Sequence, residues 1–197
     1  MIKKFAILPA LVLALLTGCN QRTGLPENVL NSATVAPTAI VLTSAIGNKP
    51  AESIKWLTME QAAERMKKEP RKLVIDVYTD WCGWCKKMDK DTFTDPKVVA
   101  MVNKHFYAVK LDAEGKEPIT LHGQTFNYNS KYRSHELAVA LLNGQMSYPT
   151  TVYLDEEMKM LSPVPGYLDA NNFYKILRYF GENHHKSMNF QEFEKSL

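Results

Sequence analysis

A run of apolar and β-branched residues that ends at two closely spaced cysteines constrains the fold of this 197-residue chain most. The run is "KLVIDVYT" at residues 72–79, and it is typical of a strand covered on both faces. The segment "TDWCGWCKK" at residues 79–87 then places Cys82 and Cys85 two residues apart. A helix that begins at these cysteines would hold both sulfurs at the end of a buried strand.

Helix and strand signals on either side of this run predict an α/β domain. A capping box at Thr58 predicts a helix that reaches about Glu69, because Pro70 cannot continue it. Asp95 is a good N-cap and Pro96 suits the first helical position, so a second helix should begin there. The segment "FYAVKLDA", from Phe106, predicts the next strand.

The later part of the chain predicts a hairpin and a helix, followed by a second hairpin and a last helix. Two short strands should flank a turn at His122 and Gly123, and Ser134 should cap a helix that stops at Gly144. "PTTVYLD" and "KMLSPVPGY" predict antiparallel strands, and Asp169 caps the last helix. This order predicts a central mixed sheet flanked by helices, with parallel early strands and an antiparallel late hairpin.

The amino terminus has the features of an export signal. Lys3 and Lys4 precede a 12-residue apolar stretch, which is too short to span a bilayer of about 30 Å. The stretch ends in "LTGC", which resembles a bacterial lipobox. The resemblance implies a lipoprotein signal peptide at residues 1–18 and a lipid on Cys19, whose several acyl chains would hold the protein on a membrane. The alternative is a plain secretory signal with an incidental cysteine.

Residues 19–52 are predicted to be a lipidated N-terminus and a flexible linker, ahead of a domain at 53–197 that carries a C-terminal extension. The linker is rich in Asn, Ser, Thr, Ala and Pro and shows no sustained helical or strand period. The formal charge is +3 and becomes +1 once Lys3 and Lys4 are removed with the signal. This small charge gives no indication of a nucleic-acid partner.

Three kinds of site compete for Cys82 and Cys85, which are the two cysteines left if Cys19 carries lipid. A structural disulfide gains little from closing a two-residue spacer. Zinc needs about four ligands, and covalent haem needs a histidine where this chain has Lys86. The histidines are scattered or lie in the tail, at positions 105, 122, 135, 184 and 185. Redox chemistry remains, and no metal site is predicted.

A helix start would favour ionisation of the first sulfur, because free backbone amides and the positive end of the helix dipole lie there. Cys82 is therefore the predicted nucleophile. Cys85, one turn further, should be less accessible and should attack the mixed disulfide to release the product. Trp81 should shield the pair without covering the first sulfur.

Several segments together resemble the thioredoxin superfamily, and in particular exported bacterial members with a "WCGWCK" motif. "VIDVYTDWCGWCK" is similar to the family's strand and active-site segment, "AVKLD" to the next strand, and "YPTTVYLD" to the strand opened by a cis-proline. The resemblance implies a thioredoxin-like fold, with residues 113–147 as a hairpin-plus-helix insertion before the cis-proline strand.

The resemblance also assigns expected roles to individual residues. Asp76 is the buried acid beneath the dithiol that could accept a proton from Cys85, unless it lies exposed at a strand end. Lys110 lies near that acid and would tune it, although a surface lysine is an equal alternative. Tyr148 and Pro149 would offer backbone to an extended substrate.

Trp81, Gly83 and Trp84 complete the predicted substrate surface around the cysteines. Trp84 replaces the proline found in the commonest reductases of the family. Its ring would either extend an aromatic surface for substrate or pack on Phe93.

The predicted function is that of a periplasm-facing thiol:disulfide oxidoreductase that reduces or isomerises protein disulfides, with no cofactor beyond the redox-active Cys82–Cys85 pair. Its expected partners are exported proteins with cysteines, a membrane thiol electron donor or acceptor, and the membrane itself through Cys19. The alternative function is a thioredoxin-fold binding module that captures a metal or a partner without turnover.

Overall fold

The structure, a computed structural model, describes residues 52–197. The predicted signal peptide, Cys19 and the linker up to residue 51 lie outside the described residues. The strands are β1 (Trp56–Leu57), β2 (Lys72–Tyr78), β3 (Phe106–Asp112), β4 (Ile119–Leu121), β5 (Gln124–Phe126), β6 (Tyr128–Asn129), β7 (Ser134–His135), β8 (Thr150–Leu154) and β9 (Met160–Pro165). The helices are α1 (Met59–Met66), α2 (Gly83–Asp91), α3 (Pro96–His105), α4 (Glu136–Leu141), α5 (Ala170–Gly181) and α6 (Phe190–Lys195).

Five strands form the central sheet in the order β1-β3-β2-β8-β9. β3 pairs in parallel with both β1 and β2. β8 runs antiparallel to β2, and β9 runs antiparallel to β8. The predicted mixed sheet is confirmed, with β9 at the edge and β8 inside. β1 was not predicted, because a pair of residues is too short to show a periodic pattern.

Helices cover both faces of the sheet, which explains why β2 is apolar along nearly its whole length. Leu73, Ile75 and Val77 pack on one face with side chains of α1 and α4. Val74 packs on the other face with side chains of α2, α3 and α5. Because side chains alternate along a strand, Asp76 belongs to the same face as Val74, towards the helix that carries the cysteines.

The insertion contains the predicted hairpin, formed by β4 and β5. His122 and Gly123 at its turn have φ values of 50° and 81°, the left-handed pair that two-residue hairpin turns favour. The predicted cap of α4 is wrong by one residue. Ser134 pairs with Asn129 in a small ladder, so the His135 ring accepts the Leu137 amide hydrogen bond at 3.2 Å instead.

The first and last helices pack as short elements on this core. α1 begins with the predicted capping box at Thr58 but ends at Met66, where the Lys68 amide donates to the Arg65 carbonyl three residues back and the chain turns out of the helix. In α6, Phe193 is buried, with its ring against Tyr179.

Within residues 52–197, none of the helices combines the length and the apolar character needed to cross a bilayer.

Candidate active site

The two cysteines lie where α2 begins, directly beyond the carboxyl end of β2. Cys82 is the N-cap residue, and its sulfur accepts a hydrogen bond from the Cys85 amide at 3.0 Å. The Cys82 amide donates to the Thr79 carbonyl at 3.1 Å, which closes the turn between strand and helix. Cys82 and Cys85 are joined in a disulfide with their Cα atoms 5.3 Å apart. The structure therefore represents the oxidised form of the pair.

Both cysteines are nearly enclosed in this oxidised form. Cys82 is 4% exposed and Cys85 is 2% exposed, so the expectation of an accessible first cysteine is wrong for this oxidised form. The disulfide accounts for part of this, because each sulfur covers the other.

Asp76 is a buried carboxyl group with one unpaired oxygen. The residue is 1% exposed, and its Oδ2 accepts a hydrogen bond from the Lys110 ammonium at 2.7 Å. Its Oδ1 has no hydrogen-bond partner among the described residues. Burial raises the pKa of Asp76, and the nearby Lys110 charge only partly offsets that rise. The alternative of an exposed strand end is therefore wrong.

Lys110 faces Asp76 across the β2–β3 pair and is not a simple surface lysine. Burial works against its charged form, but the attraction of Asp76 and Asp89 outweighs burial and raises the Lys110 pKa. Three aromatic rings lie about its Nζ, each with its centroid 5.0 or 5.1 Å away; they belong to Trp56, Tyr78 and Phe93. The lysine thus connects the buried acid to a carboxylate on α2.

Asp89 is the second carboxylate partner of Lys110, and the sequence analysis missed it. It lies on α2 four residues after Cys85, a spacing that places two side chains on the same side of a helix. That spacing is the signal that could have identified it. Asp89 also contributes to the raised pKa of Asp76, because its negative charge disfavours a second one nearby.

The segment before β8 has the backbone geometry that the resemblance implied. The peptide bond between Tyr148 and Pro149 is cis. The Pro149 carbonyl accepts a hydrogen bond from Gly166 at 2.8 Å, which fixes the start of the β8–β9 hairpin. The hydrogen bonds among residues 52–197 include none made by the backbone of Tyr148. In β8, Thr151 lies opposite Asp76 in the ladder, and its buried hydroxyl is also unpaired among these residues.

Two exposed tryptophans flank the disulfide. Trp81 is 65% exposed, packs edge-on against Tyr148, and donates its indole hydrogen bond to Glu114 at 3.1 Å. Trp84 is 59% exposed and lies against Tyr167 at a ring distance of 5.3 Å, not against Phe93. The contacts with Glu114 and Tyr167 had no signal in the sequence, because both join residues from distant segments.

Gly83 separates the first cysteine from Trp84 and faces open space. A Cβ atom added there would meet no other atom within 4 Å. Gly83 therefore leaves the helix start uncovered between the two tryptophans. No group of three or more His, Cys, Asp or Glu side chains suited to a metal occurs in the described part of the chain.

The sequence profile of the thioredoxin-like domain family matches residues 59–181. That range contains both cysteines, the buried acid, its lysine and the cis-proline. The chain belongs to the thioredoxin-like family.

Curated relatives of this thioredoxin-like chain are thiol:disulfide interchange proteins named DsbD. The protein from Pectobacterium atrosepticum is 29% identical over 145 residues, which are 73% of this chain and 21% of that protein. The protein from Actinobacillus pleuropneumoniae is 31% identical over 109 residues, which are 54% of this chain and 16% of that protein. The chain thus spans about a fifth of the length of the curated relatives it matches.

Among solved structures, a DsbH oxidoreductase superposes with a TM-score of 0.50 at 17% identity. The superposition covers 79% of this chain and 95% of that one. This likeness shows a shared thioredoxin-like fold across most of the chain.

Proposed function

We propose that this protein is a periplasm-facing thiol:disulfide oxidoreductase that reduces or isomerises disulfides in exported proteins. The observation that carries the proposal is the Cys82–Cys85 disulfide at the start of α2, beyond a strand that holds the buried acid Asp76. The match to thiol:disulfide interchange proteins supports the same reaction class.

The proposed reduction proceeds through a mixed disulfide. In the reduced pair, the Cys82 thiolate attacks one sulfur of a substrate disulfide, and the other substrate sulfur leaves as a thiolate. The Cys85 amide that donates to the Cys82 sulfur would favour this ionised form. Cys85 then attacks the Cys82 sulfur. This step re-forms the Cys82–Cys85 disulfide and releases the second substrate thiolate.

Asp76 would take the proton that Cys85 loses in this second step. A carboxylate whose pKa is raised by burial binds a proton more readily than an exposed one. Its unpaired Oδ1 leaves a position for that proton, while Oδ2 stays with Lys110. Lys110 would tune this acid without contacting the reacting sulfurs.

The substrate surface would combine backbone and aromatic groups. The unused backbone N–H and C=O of Tyr148, beside Pro149, could pair with an extended substrate segment without reading its sequence. Trp81 and Trp84 would add exposed aromatic contact on either side of Gly83. This arrangement fits broad selection of protein disulfides.

The proposed location is the periplasmic face of a bacterial membrane, with the protein anchored by lipid on Cys19 after removal of residues 1–18. The linker that ends near residue 52 would join the domain to this anchor and allow it to move relative to the membrane. A reductase in an exported compartment needs electrons, so a membrane thiol protein would act as donor, or as acceptor for the reverse flow. The dithiol alone would carry the chemistry, with no metal or other cofactor.

The direct test is reduction of insulin by dithiothreitol with the full chain in a neutral detergent. The wild-type protein should accelerate precipitation of the insulin B chain, whereas Cys82→Ser should not. A matched control, Ser147→Ala, removes a hydroxyl near Pro149 without touching the thiols and should keep most of the activity. No acceleration over Cys82→Ser would count against the enzyme and favour a binding module.

Two further measurements would define clients and direction. Cys85→Ala should trap substrates as covalent complexes that disappear on reduction, because the resolving thiol is absent. The reduction potential of the Cys82–Cys85 pair, measured by alkylation after equilibration in glutathione buffers, would set the direction of electron flow. A potential near that of strong oxidants, about −120 mV, would contradict the reducing role.

A further inference from the structure

A pocket of about 340 Å³ lies at the end of the sheet opposite the disulfide. It is lined by Arg71, which precedes β2, and by Phe106 and Tyr107, which begin β3. The disulfide lies beyond the other end of β2, a strand of seven residues that spans roughly 20 Å. The pocket is thus separate from the candidate active site.

Positive charge dominates the pocket lining. Lys55, Arg65, Lys68 and Arg71 contribute four cationic groups, and Glu69 contributes one carboxylate. Glu69 forms an ion pair with Arg71. In the described part of the chain, no carboxylate lies within 4 Å of the charged groups of Lys55, Arg65 or Lys68. Three cations therefore line the same concave surface without a carboxylate partner among residues 52–197.

This local charge contrasts with the neutral charge of the described residues as a whole. Of the 24 basic and 21 acidic side chains in the sequence, four basic and one acidic precede residue 52, which leaves 20 of each. The concentration of unpaired cations at one end is thus a feature of the surface and not a consequence of a basic composition. Such a patch attracts anions and anionic surfaces.

The inner wall of the pocket is held in place by hydrogen bonds and a contact with an aromatic ring. The Arg71 guanidinium is only partly exposed, donates to the Asn103 carbonyl at 3.2 Å, and lies over the Tyr107 ring. The Tyr107 hydroxyl donates to the Glu69 carbonyl at 3.2 Å. These contacts hold the inner wall in place, while the longer side chains of Lys55, Arg65 and Lys68 are exposed at the rim.

The start of the described chain is fastened beside this pocket. The Asn103 side-chain amide donates to the Ser53 carbonyl at 2.9 Å and accepts from the Lys55 amide at 3.1 Å. Whatever joins the domain from residues before 52 therefore attaches at this end of the sheet. The pocket, and not the disulfide, therefore lies beside the first described residues.

We propose that this basic pocket binds the phosphate of an anionic phospholipid headgroup and thereby seats the domain on the membrane with the dithiol pointing away. The inference goes beyond the proposed thiol–disulfide activity, although it rests on the proposed membrane location. Phosphate matches the exposed cationic side chains of Lys55, Arg65 and Lys68 at the pocket rim, and basic residues near a membrane are drawn to anionic lipid surfaces.

The test uses the ¹⁵N-labelled full chain in a neutral sugar detergent, titrated with dihexanoyl phosphatidylglycerol. We expect saturable shifts of the Asn103 side-chain amide and the Tyr107 backbone amide, with weaker affinity at higher salt. Dihexanoyl phosphatidylcholine, which has no net charge, should bind at least about tenfold more weakly. Equal shifts with both lipids, or no saturable shift with the anionic one, would overturn the proposal.

Two triple variants separate the pocket from general charge. Lys55→Gln, Arg65→Gln and Lys68→Gln together should weaken phosphatidylglycerol binding by at least about tenfold. The matched control removes three exposed lysines elsewhere, through Lys131→Gln, Lys186→Gln and Lys195→Gln, and should bind like the wild type. Equal loss in both variants would overturn the pocket as the site. Thermal unfolding of each variant shows that the fold is retained, whether or not the dithiol is active.

Inorganic phosphate distinguishes a membrane seat from a site for a free anion. The lipid headgroup should bind more tightly than phosphate, because the exposed rim cations are placed to meet a surface of several headgroups and glycerol contacts. Phosphate binding as tight as that of the lipid, with the same Asn103 shifts, would contradict membrane seating and would leave a small-anion site.

Discussion

Two lysine–carboxylate pairs occupy opposite halves of β2, and they differ in how completely the buried member is paired. Towards the amino end, Lys72 is 4% exposed and donates to Glu156 at 2.6 Å and to the Asn183 side-chain carbonyl at 2.8 Å. In the carboxyl half, the buried member is Asp76, which has Lys110 on one oxygen and nothing on the other among the described residues. The first pair is complete and the second is not.

The pKa values of the two carboxyl groups follow this difference. Burial alone would raise the pKa of Glu156, but the hydrogen bond from Lys72, a backbone hydrogen bond and the Lys72 charge together outweigh it and lower that pKa. For Asp76 the balance is reversed, because burial is nearly complete and Lys110 is shared with Asp89. The complete pair therefore stabilises the fold at neutral pH, whereas burial makes the ionised form of Asp76 costly, as the proposed proton transfer from Cys85 would require.

The largest expected effect comes from breaking the complete pair. Glu156→Ala would leave the Lys72 ammonium buried without its counter-ion, so we expect a loss of about 3 kcal/mol in the free energy of unfolding at pH 7. This value is at the low end for buried pairs, because the Glu156 side chain is 38% exposed and water screens part of the interaction. Urea denaturation of both proteins would measure it.

The adjacent residue provides the control. Glu157 pairs with Lys159, and both side chains are more than 70% exposed, so Glu157→Ala should leave the denaturation midpoint nearly unchanged. The Glu156 contribution should also fade in acid. Since its folded pKa is lowered, the stabilisation is present above the unfolded pKa of about 4.3 and is lost as the pH falls through the folded value. Similar denaturation midpoints for Glu156→Ala and Glu157→Ala would show that the buried pair with Lys72 stabilises the fold no more than an exposed pair does.

The sequence was sufficient to predict the elements around the cysteines because local signals agree there. The apolar run of β2, the cysteine spacing and the N-cap pattern at Asp95 each specify their own element, and the structure contains all three. The incomplete pairing of Asp76 could be anticipated only in part. An acid within an apolar run predicts burial, but the number of partners it finds depends on packing.

The sequence could not predict contacts that join distant segments. Lys72 meets Asn183 across 111 positions, and Trp81 meets Glu114 across 33. Neither partner has a periodic or capping signal that identifies it. His135 as the α4 cap was missed for a related reason, because a two-residue ladder took the place of the expected serine cap. Long-range pairing of this kind follows from the tertiary fold and not from any single segment.

The second expected effect sharpens the comparison by removing the incompletely paired charge. Asp76→Asn should raise the free energy of unfolding at pH 7 by about 1–2 kcal/mol, because it removes a buried charge while Lys110 keeps Asp89. With a raised folded pKa, the unfolded chain loses its proton first. Wild-type stability therefore falls relative to the variant as the pH rises from about 3.9 to the folded pKa.

Urea denaturation between pH 4 and pH 8 would follow this difference. The difference in the free energy of unfolding between wild type and Asp76→Asn should be smallest at pH 4 and should widen with pH until it levels off. Asp91→Asn serves as the control, because a hydrogen bond from Lys87 lowers the Asp91 pKa and the trend should have the opposite sign. A gap that stays constant with pH would show that Asp76 does not change its ionisation on folding in this range.

The smallest expected effect is a shift in pH dependence when the neighbours of Asp76 are altered. Lys110→Gln removes the charge that lowers the Asp76 pKa, so the apparent pKa for release of substrate from the Cys82 mixed disulfide should move up. Asp89→Asn removes a charge that raises the Asp76 pKa and frees Lys110 for Asp76 alone, so the same apparent pKa should move down.

Single-turnover release of a labelled peptide from the Cys82 mixed disulfide, measured across pH, would resolve these two shifts. Opposite movements are the decisive result, because damage to packing would slow release in both variants without moving the inflection in opposite directions. Movement of the inflection in the same direction in both variants would show that Lys110 and Asp89 do not act through the ionisation of Asp76. Loss of the inflection in Asp76→Asn would assign it to this carboxyl, and would tie the incomplete pairing on β2 to the step in which Cys85 gives up its proton.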